Sequence, residues 1–378
     1  MSCKLSEICG GCCYREMDVS VYRQQKEQKF IQTISSISSS DYEIKPAVFI
    51  EDGCRRRATF AFEYKKKQLI LGFNRKSSHE IVELDYCPSL TSKINNIIPF
   101  IKRIISAICE EPFNERKGKK NIIHNINKGD VSLCQADNGI DVVLEFDVPI
   151  GLNQQMIIAE MIHQENSIIR ISHRTTANSD AETIIEKTKP YIKVGRYSVY
   201  IPAGTFLQPS QEGQNALGKL VIKYFHNIKG NVADLFCGVG TFSYLLADIP
   251  DVRVTSIDSS ASLLKGFCDS INANQIKNIT VHNKNLFKYP LDEKELKNFK
   301  AVLFDPPRAG AKAVCEKIAL SANKPDVIVA ISCNPSTFVN DANSLIRGGY
   351  TLQEITMIDQ FTYSNHSELV AFFTKNNI

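Results

Sequence analysis

The hydrophobic pattern changes character twice along the chain. Residues 1–17 show no period; they are irregular and rich in cysteine. In DVSVYRQQKEQKFIQTISSI (18–37) apolar residues recur at helical spacing, which predicts one amphipathic helix with Asp18 or Ser20 as N-cap and the serine run 38–40 as its stop. From about 44 to 185 short β-rich runs take over: RRRATFAFEY, QLILGFN, VSLCQA, DVVLEFDV and SIIRISHR. Turns such as DNGID separate them, and helical patterns near 89–109 and 153–163 interrupt them, so a mostly antiparallel α+β domain is expected. No internal repeat is visible.

From about 191 onward strands and helices alternate. Strands are expected at 231–236, 252–257, 278–282, 301–305, 326–332, 351–358 and 368–374, and helices near 210–227, 241–248, 260–274, 312–321 and 336–347. Buried apolar strands in this alternation predict an α/β, doubly wound, Rossmann-like sheet, with the last two strands forming an antiparallel hairpin at one side. The expected division is a cysteine segment with its helix (1–43), a β-rich domain (44–190) and the Rossmann-like domain (191–378).

Ligands of such sheets bind at the carboxyl ends of the strands. In VADLFCGVGTFSYLLA (232–247), Gly238 and Gly240 permit a sharp turn and a close ligand. A dinucleotide site wants a third glycine where Ser243 stands, which argues against NAD. Asp234 before the turn suits the cationic methionine end of S-adenosylmethionine, Asp258 suits ribose hydroxyls, and Asn285 stands where an adenine contact falls. Asp305, in AVLFDPPRAG, begins a loop that Pro306 and Pro307 hold extended, and is placed to position a base or the sulfonium. A fifth apolar strand runs into VIVAISCNPSTF, where Pro335 stops the ladder and leaves Cys333 at its end.

A thiol at that position suits methyl transfer to carbon 5 of a uracil. Carbon 5 is too weak a nucleophile alone, but a thiolate adding to carbon 6 makes the ring an enolate. A base must then remove the carbon-5 proton. Glu368, opening an apolar strand in YSNHSELVAFF, is the candidate, with His366 two residues earlier on the same face.

Charge and cysteine content sharpen the picture. Net charge is only +4, but CRRRATF (54–60), EYKKKQL (63–69), FNRKSS (73–78) and NERKGKK (114–120) concentrate positive charge in the first third, as a polyanion-binding surface would. No run of 18 uncharged apolar residues and no apolar signal stretch occur, so a cytoplasmic protein with no membrane segment is expected. In that compartment twelve cysteines are free, metal-bound or catalytic rather than disulfide-bonded. Cys3, Cys9, Cys12 and the distant Cys87 offer four thiolates, which by spacing suit zinc and an iron–sulfur cluster equally. Cys13 reads as a spare, and Cys54, Cys109, Cys134, Cys237, Cys268 and Cys315 as small core or loop residues.

The set DLFCGVGTF, FDPPRAG, SCNPSTF and HSELVAFF, in this order, resembles the RNA (uracil-5-)-methyltransferase family. LGFNRKSSHEIVELDYCP and GCRRRATFAF are similar to its ribosomal RNA branch. The resemblance implies S-adenosylmethionine-dependent methylation of a uridine, preferentially in 23S rRNA, with Cys333 as nucleophile and Glu368 as proton acceptor. It implies cofactor contacts at Gln208 (GTFLQPS), Phe236, Asp258, Asn285 and Asp305, and a structural [4Fe-4S] cluster on Cys3, Cys9, Cys12 and Cys87. Ser210 and Thr241 depart from asparagines common in the family; either bears on a hydrogen bond to cofactor or uracil, and neither touches Cys333 or Glu368. Longer members begin with a small β-barrel RNA-binding domain, which is not expected here, and a monomer is. The competing readings are the same chemistry on tRNA and a non-catalytic RNA-binding protein. The joint presence of Cys333 and Glu368 argues against the second. A DNA or small-molecule methyltransferase leaves the basic first third without a purpose.

Overall fold

A computed structural model describes residues 3–39, 41–117, 120–177 and 179–376; the side chains of 114–121 fall outside it, and with them the basic run at 114–120. Contacts divide the chain into two units. The first comprises Met1–Glu16, Glu51–Ile192 and Ile201–Ser210, the second Met17–Ile50, Lys193–Tyr200 and Gln211–Ile378.

In chain order, α1 (Val19–Ile34) and β1 (Glu43–Phe49) come first and belong to the second unit. The first unit is then built from β2 (Arg57–Lys65), β3 (Gln68–Asn74), β4 (Ile81–Glu83), α2 (Ser92–Glu110), β5 (Phe113–Lys117), β6 (Lys120–His124), β7 (Lys128–Ala136), β8 (Gly139–Glu145), α3 (Leu152–His163), β9 (Ile168–Arg174) and β10 (Glu182–Glu186). Two short strands, β11 (Tyr191–Val194) and β12 (Tyr197–Tyr200), follow. The rest is α4 (Gln211–Phe225), β13 (Gly230–Leu235), α5 (Thr241–Ala247), β14 (Val252–Asp258), α6 (Ala261–Ala273), β15 (Ile279–Asn283), α7 (Glu293–Leu296), β16 (Ala301–Phe304), α8 (Lys312–Leu320), β17 (Val327–Ser332), α9 (Pro335–Arg347), β18 (Tyr350–Asp359) and β19 (Glu368–Lys375). No helix among the described residues is long and apolar enough to cross a membrane.

The first unit centres on a seven-stranded sheet ordered β10-β9-β8-β7-β2-β3-β4. It is antiparallel except for β8 and β9, which pair in parallel because α3 crosses between them. The stripe Ile94, Ile97, Ile98, Ile101, Ile104, Ile105 and Ile108 buries one face of α2 in the core formed with Phe60, Phe62, Leu71, Val131 and Leu133. The cysteine-bearing amino-terminal stretch is laced to the end of β3: Gly10 N donates to Asn74 O (3.0 Å) and Lys76 N to Ile8 O (3.1 Å).

The second unit holds an eight-stranded sheet ordered β1-β18-β19-β17-β16-β13-β14-β15. β13 to β17 run parallel, β19 inserts antiparallel between β17 and β18, and β1 adds in parallel to β18. Strand order reverses between β13 and β16, and a crevice opens at such a switch point on the carboxyl ends.

Residues 1–43, read from sequence as one segment, separate at Glu16. Phe30, Ile34 and Ile37 of the α1 region share a core with Phe338, Leu345 and Leu352 of the second unit. One contact on α1 was invisible to the helical pattern. Lys26, 4% exposed, forms an ion pair with the fully buried Asp359 (2.6 Å) and donates to Ser364 O (2.8 Å). The Tyr22 hydroxyl also donates to Asp359 and accepts from Tyr363 N (2.9 Å). Lys26→Met preserves volume but strands the Asp359 charge, and is expected to lower the unfolding free energy by about 3–5 kcal/mol in urea melts. The double variant Lys26→Met/Asp359→Asn should recover much of that loss. A single-variant loss below about 1 kcal/mol would show that the pair is not acting as a buried ion pair.

Candidate active site

The strand ends of the second unit carry the site. After β13 the chain turns through Phe236, whose φ of +60° is left-handed, and through Gly238 and Gly240 into α5. Gly240 has φ +84°, and a Cβ there would lie 2.2 Å from the Phe267 ring, so only glycine fits. Asp258, ending β14, fixes this loop: its Oδ2 accepts from Gly238 N and its Oδ1 from Ser260 N, each at 3.0 Å. Beyond β15, Asn285 Oδ1 accepts from Phe287 N (3.1 Å) and Lys288 N (3.2 Å), making a turn that brings Phe287 to 5.3 Å from the Phe236 ring, centroid to centroid. Phe236, Asp258 and Asn285 thus stand on three neighbouring strand ends. The exposed Phe287 beside them had no motif to flag it.

Asp234 is placed differently from the expectation that it faces a ligand's cationic end. It is 1% exposed and lies under the loop. The Ser243 hydroxyl donates to its Oδ2 and stands 2.7 Å from Ser256 Oγ, while Asp234 Oδ1 has no hydrogen-bond partner. Ser243, in place of the third glycine, is therefore the partner this buried acid requires. Burial raises the Asp234 carboxyl to about 7, with the charges of Asp305 and Asp258 adding to the shift against the hydrogen bond from Ser243.

Asp305 follows β16, with its N–H bonded to Leu235 O (3.3 Å), and burial pushes its carboxyl up to about 7. The next strand, β17, ends at Ser332; Asn334 caps α9 through Ser336 N (3.2 Å) and Pro335 opens it. The last ladder pair between β17 and β19 is Ser332 with Leu369, so Cys333 directly follows β17 and Glu368 directly precedes Leu369 at the same end of the sheet, close enough for the Glu368 charge to act on the Cys333 thiol. Glu368 is 2% exposed. Its Oε2 accepts from Gln360 Nε2 (2.9 Å), and its Oε1 is buried without a hydrogen-bond partner. Burial first and the Asp305 charge second raise Glu368 to about 8, against the pull of the Gln360 bond. The Cys333 thiol is pushed up to about 11 by burial and by the charges of Glu368 and Asp305, with Arg308 opposing. Arg308 Nη2 lies 3.3 Å from His366 Nε2. Its loop is tied to the α9 cap by Asn334 Nδ2 (3.2 Å) and Thr337 Oγ1 (3.3 Å), both donating to Arg308 O. Arg308 and Gln360 escaped the sequence reading because neither sits in a pattern with an obvious chemical role.

Gln208 belongs to the first unit, and the arginine triplet sets its place there. Arg56, buried, donates from Nε to Gln208 O (3.0 Å) and from its main-chain N to Pro209 O (2.8 Å). Arg57 Nη1 donates to Leu207 O (3.0 Å), with its guanidinium 4.6 Å over the Phe206 ring. These two arginines, expected to face RNA, brace the 206–209 segment instead. Arg55 lies near the thiols of Cys87 and Cys12, whose charges act on it.

The four expected metal-binding cysteines converge closely enough to sense one another. Burial and the charges of Cys12, Cys3 and Cys9 lift Cys87 to about 11, and Cys9 is raised by burial and by Cys12 and Cys3. Asn95 grips the Cys87 main chain from both sides, at 2.8 Å and 3.0 Å, and Arg15 Nη2 reaches Cys12 Sγ at 3.8 Å. Among the described residues no three His, Cys, Asp or Glu side chains converge as ligands of a single metal ion.

The profile of the tRNA (uracil-5-)-methyltransferase family matches residues 154–376. A curated RNA methyltransferase of uncharacterised role from Brucella melitensis is 31% identical over 377 residues, covering 99% of this chain and 84% of its own. A 23S rRNA (uracil(1939)-C(5))-methyltransferase of Vibrio vulnificus is 28% identical, covering 99% and 82%. In structure the chain is similar to the Pyrococcus abyssi tRNA (uracil-54, C5)-methyltransferase solved with S-adenosyl-L-homocysteine, with a TM-score of 0.73, 20% identity and coverage of 98% and 86%.

Asp305 and Glu368 hold protons more tightly than free carboxyls do. A cationic ligand bound near them favours their charged forms, so binding releases protons. S-adenosylmethionine affinity should therefore rise between pH 6 and pH 8, by up to about tenfold per unit for one proton released. Titration calorimetry in buffers of different ionisation enthalpy counts those protons; a pH-independent affinity would refute the coupling.

Proposed function

Because the chain belongs to the tRNA (uracil-5-)-methyltransferase family and is an S-adenosylmethionine-dependent RNA (uracil-5-)-methyltransferase, we propose that its target is a uridine of 23S rRNA, attacked by Cys333 and released by Glu368. The observation that carries the catalytic part is that Cys333 and Glu368 adjoin the last ladder pair of β17 and β19, with the charges of Glu368 and Asp305 acting on the Cys333 thiol. The ribosomal target rests on likeness to a relative named for 23S rRNA over 99% of this chain. Transfer RNA is the second reading, favoured by the family's own description. Mapping 5-methyluridine in ribosomal and transfer RNA from a deletion strain decides between them.

In this mechanism the partly exposed Cys333 thiol gives its proton to water as the ring arrives. Its thiolate forms a bond to carbon 6, and the carbon 5–carbon 6 π pair moves to make the enolate. Phe236, Asp258, Asn285 and Asp305 are the residues of the second unit that would hold S-adenosylmethionine, which when bound supplies a methyl group on a positively charged sulfur. Glu368 then takes the carbon-5 proton. The electron pair left behind restores the double bond, and the thiolate departs with the electrons of the carbon–sulfur bond. Cys333→Ala should abolish both methylation and any covalent RNA adduct. Glu368→Gln should still add and methylate, then stall as a methylated covalent protein–RNA complex, visible as a slow band on a denaturing gel. Wild-type turnover by Glu368→Gln would make another group the base.

For Cys3, Cys9, Cys12 and Cys87 we propose a [4Fe-4S] cluster. The reading is supported by the four thiols lying near enough for Cys12, Cys3 and Cys9 to act on Cys87, and by the resemblance of their spacing to the family's cluster motif. Arg15 and Arg55 lie where they offset its negative charge. Protein purified without oxygen should be brown with about four irons per chain. Cys87→Ser should lose iron, and stoichiometric zinc with no iron would overturn the assignment.

A further inference from the structure

Among the described residues, Gln360 is the polar side chain that bonds the carboxyl of Glu368, and the proposed mechanism leaves it without a role. It follows Asp359, the last residue of β18, and is 4% exposed. Its neighbour is immobilised from several sides. Asp359 takes the Lys26 ion pair and the Tyr22 hydroxyl, and its carbonyl accepts from Ile50 N (3.1 Å). Thr362 Oγ1 donates to Ile50 O (2.9 Å), and Ser364 O accepts from Lys26. The segment from Asp359 to Glu368 is thus pinned at both ends: by these contacts, and by the entry of Glu368 into the ladder opposite Ile358.

We propose that Gln360 is a positioning residue for proton removal: its amide holds Oε2 of Glu368 and so presents Oε1 as the atom that accepts the carbon-5 proton. The inference rests on the reading of Glu368 as the base. The two oxygens are not equivalent: Oε2 takes the Gln360 bond, and Oε1 is buried with no partner. A buried acceptor in that state gains most when a proton reaches it. In the step itself the carbon 5–hydrogen bond breaks, the proton goes to Oε1, its electron pair rebuilds the ring double bond, and the carbon 6–sulfur pair leaves with Cys333. The Gln360 donor also favours the charged carboxylate, so it keeps the base available at lower pH than burial alone would permit.

The test is Gln360→Met, which keeps the length of the side chain and removes the donor. Single-turnover assays should separate adduct formation, methyl transfer and adduct decay. Adduct formation and methylation should match the wild type. Decay should slow about tenfold at pH 7, and its acid limb should move up by about one pH unit, recovering toward wild type at high pH. The affinities for RNA and S-adenosylmethionine should not change. A role in packing alone predicts a lower melting temperature with an unmoved pH limb, and that result would overturn the proposal. So would a decay profile identical to wild type. Glu368→Gln keeps the two claims apart. If it stalls while Gln360→Met decays normally, the positioning role fails alone; if it turns over freely, the assignment of the base fails with it.

Discussion

Carboxyl groups gathered at the dry end of a parallel sheet are the constraint on which the site depends. Asp234, Asp305 and Glu368 lie at or below the carboxyl ends of strands whose flanks are apolar, and each is pushed above the ordinary carboxylate range chiefly by burial. A carboxylate taken out of water without a partner costs several kcal/mol, so such groups keep their protons instead. The same environment keeps the Cys333 thiol protonated. A site in this state is poised rather than active: it needs positive charge and a reactive ring before its acids and its nucleophile ionise. A cationic methyl donor is a ligand that meets the first need.

The geometry that uses this poise comes from parts far apart in the chain. α1 supplies Lys26 and Tyr22 to the segment that carries Gln360 and leads to Glu368, more than 330 positions later, as the 333-residue separation of Lys26 and Asp359 shows. α9 supplies the cap that fixes the Arg308 loop. Each contact is internal to the second unit, so the proposed catalytic pair sits at strand ends and beside a loop fastened at both ends. Such fastening is what proton transfer over hydrogen-bond distances requires.

Most strands and helices beyond 210 were legible because they are apolar runs, several of them stopped by a residue with a defined backbone effect, as Pro335 after Cys333 and Gly238 and Gly240 after Leu235, whereas the short β11, β12 and α7 were not expected. The places of Asp258, Asn285, Asp305 and Cys333 at strand ends, and of Glu368 at the start of β19, could be located from the apolar runs together with the motifs that follow them. Partnership was harder to read. Nothing in the helical pattern of α1 says that Lys26 is buried or that β1 joins the large sheet, because both depend on contacts across 300 residues or more. Asp234 and Ser243 show the same limit. The position of each was evident, but only packing reveals that they satisfy one another beneath the loop.

The arginine triplet carries that lesson into the first unit. Local density of positive charge suggested a phosphate-binding face at Arg55, Arg56 and Arg57, but a guanidinium whose donors are committed to buried main-chain carbonyls has little left for phosphate. Arg56 and Arg57 donate to Gln208 O and Leu207 O, and burial lowers the pKa of Arg55 and Arg57. Solvent-facing charge remains at Arg55, Arg75 and Lys76, and it gathers at Lys65, Lys66 and Lys67 on the tip between β2 and β3. Lys66 and Lys67 both hold left-handed backbone there, φ +53° and +64°, in a turn where glycine or asparagine is the easier choice. Counterion release on RNA binding counts cations that reach phosphate through water, and by that measure the exposed hairpin lysines are better placed than Arg56 and Arg57.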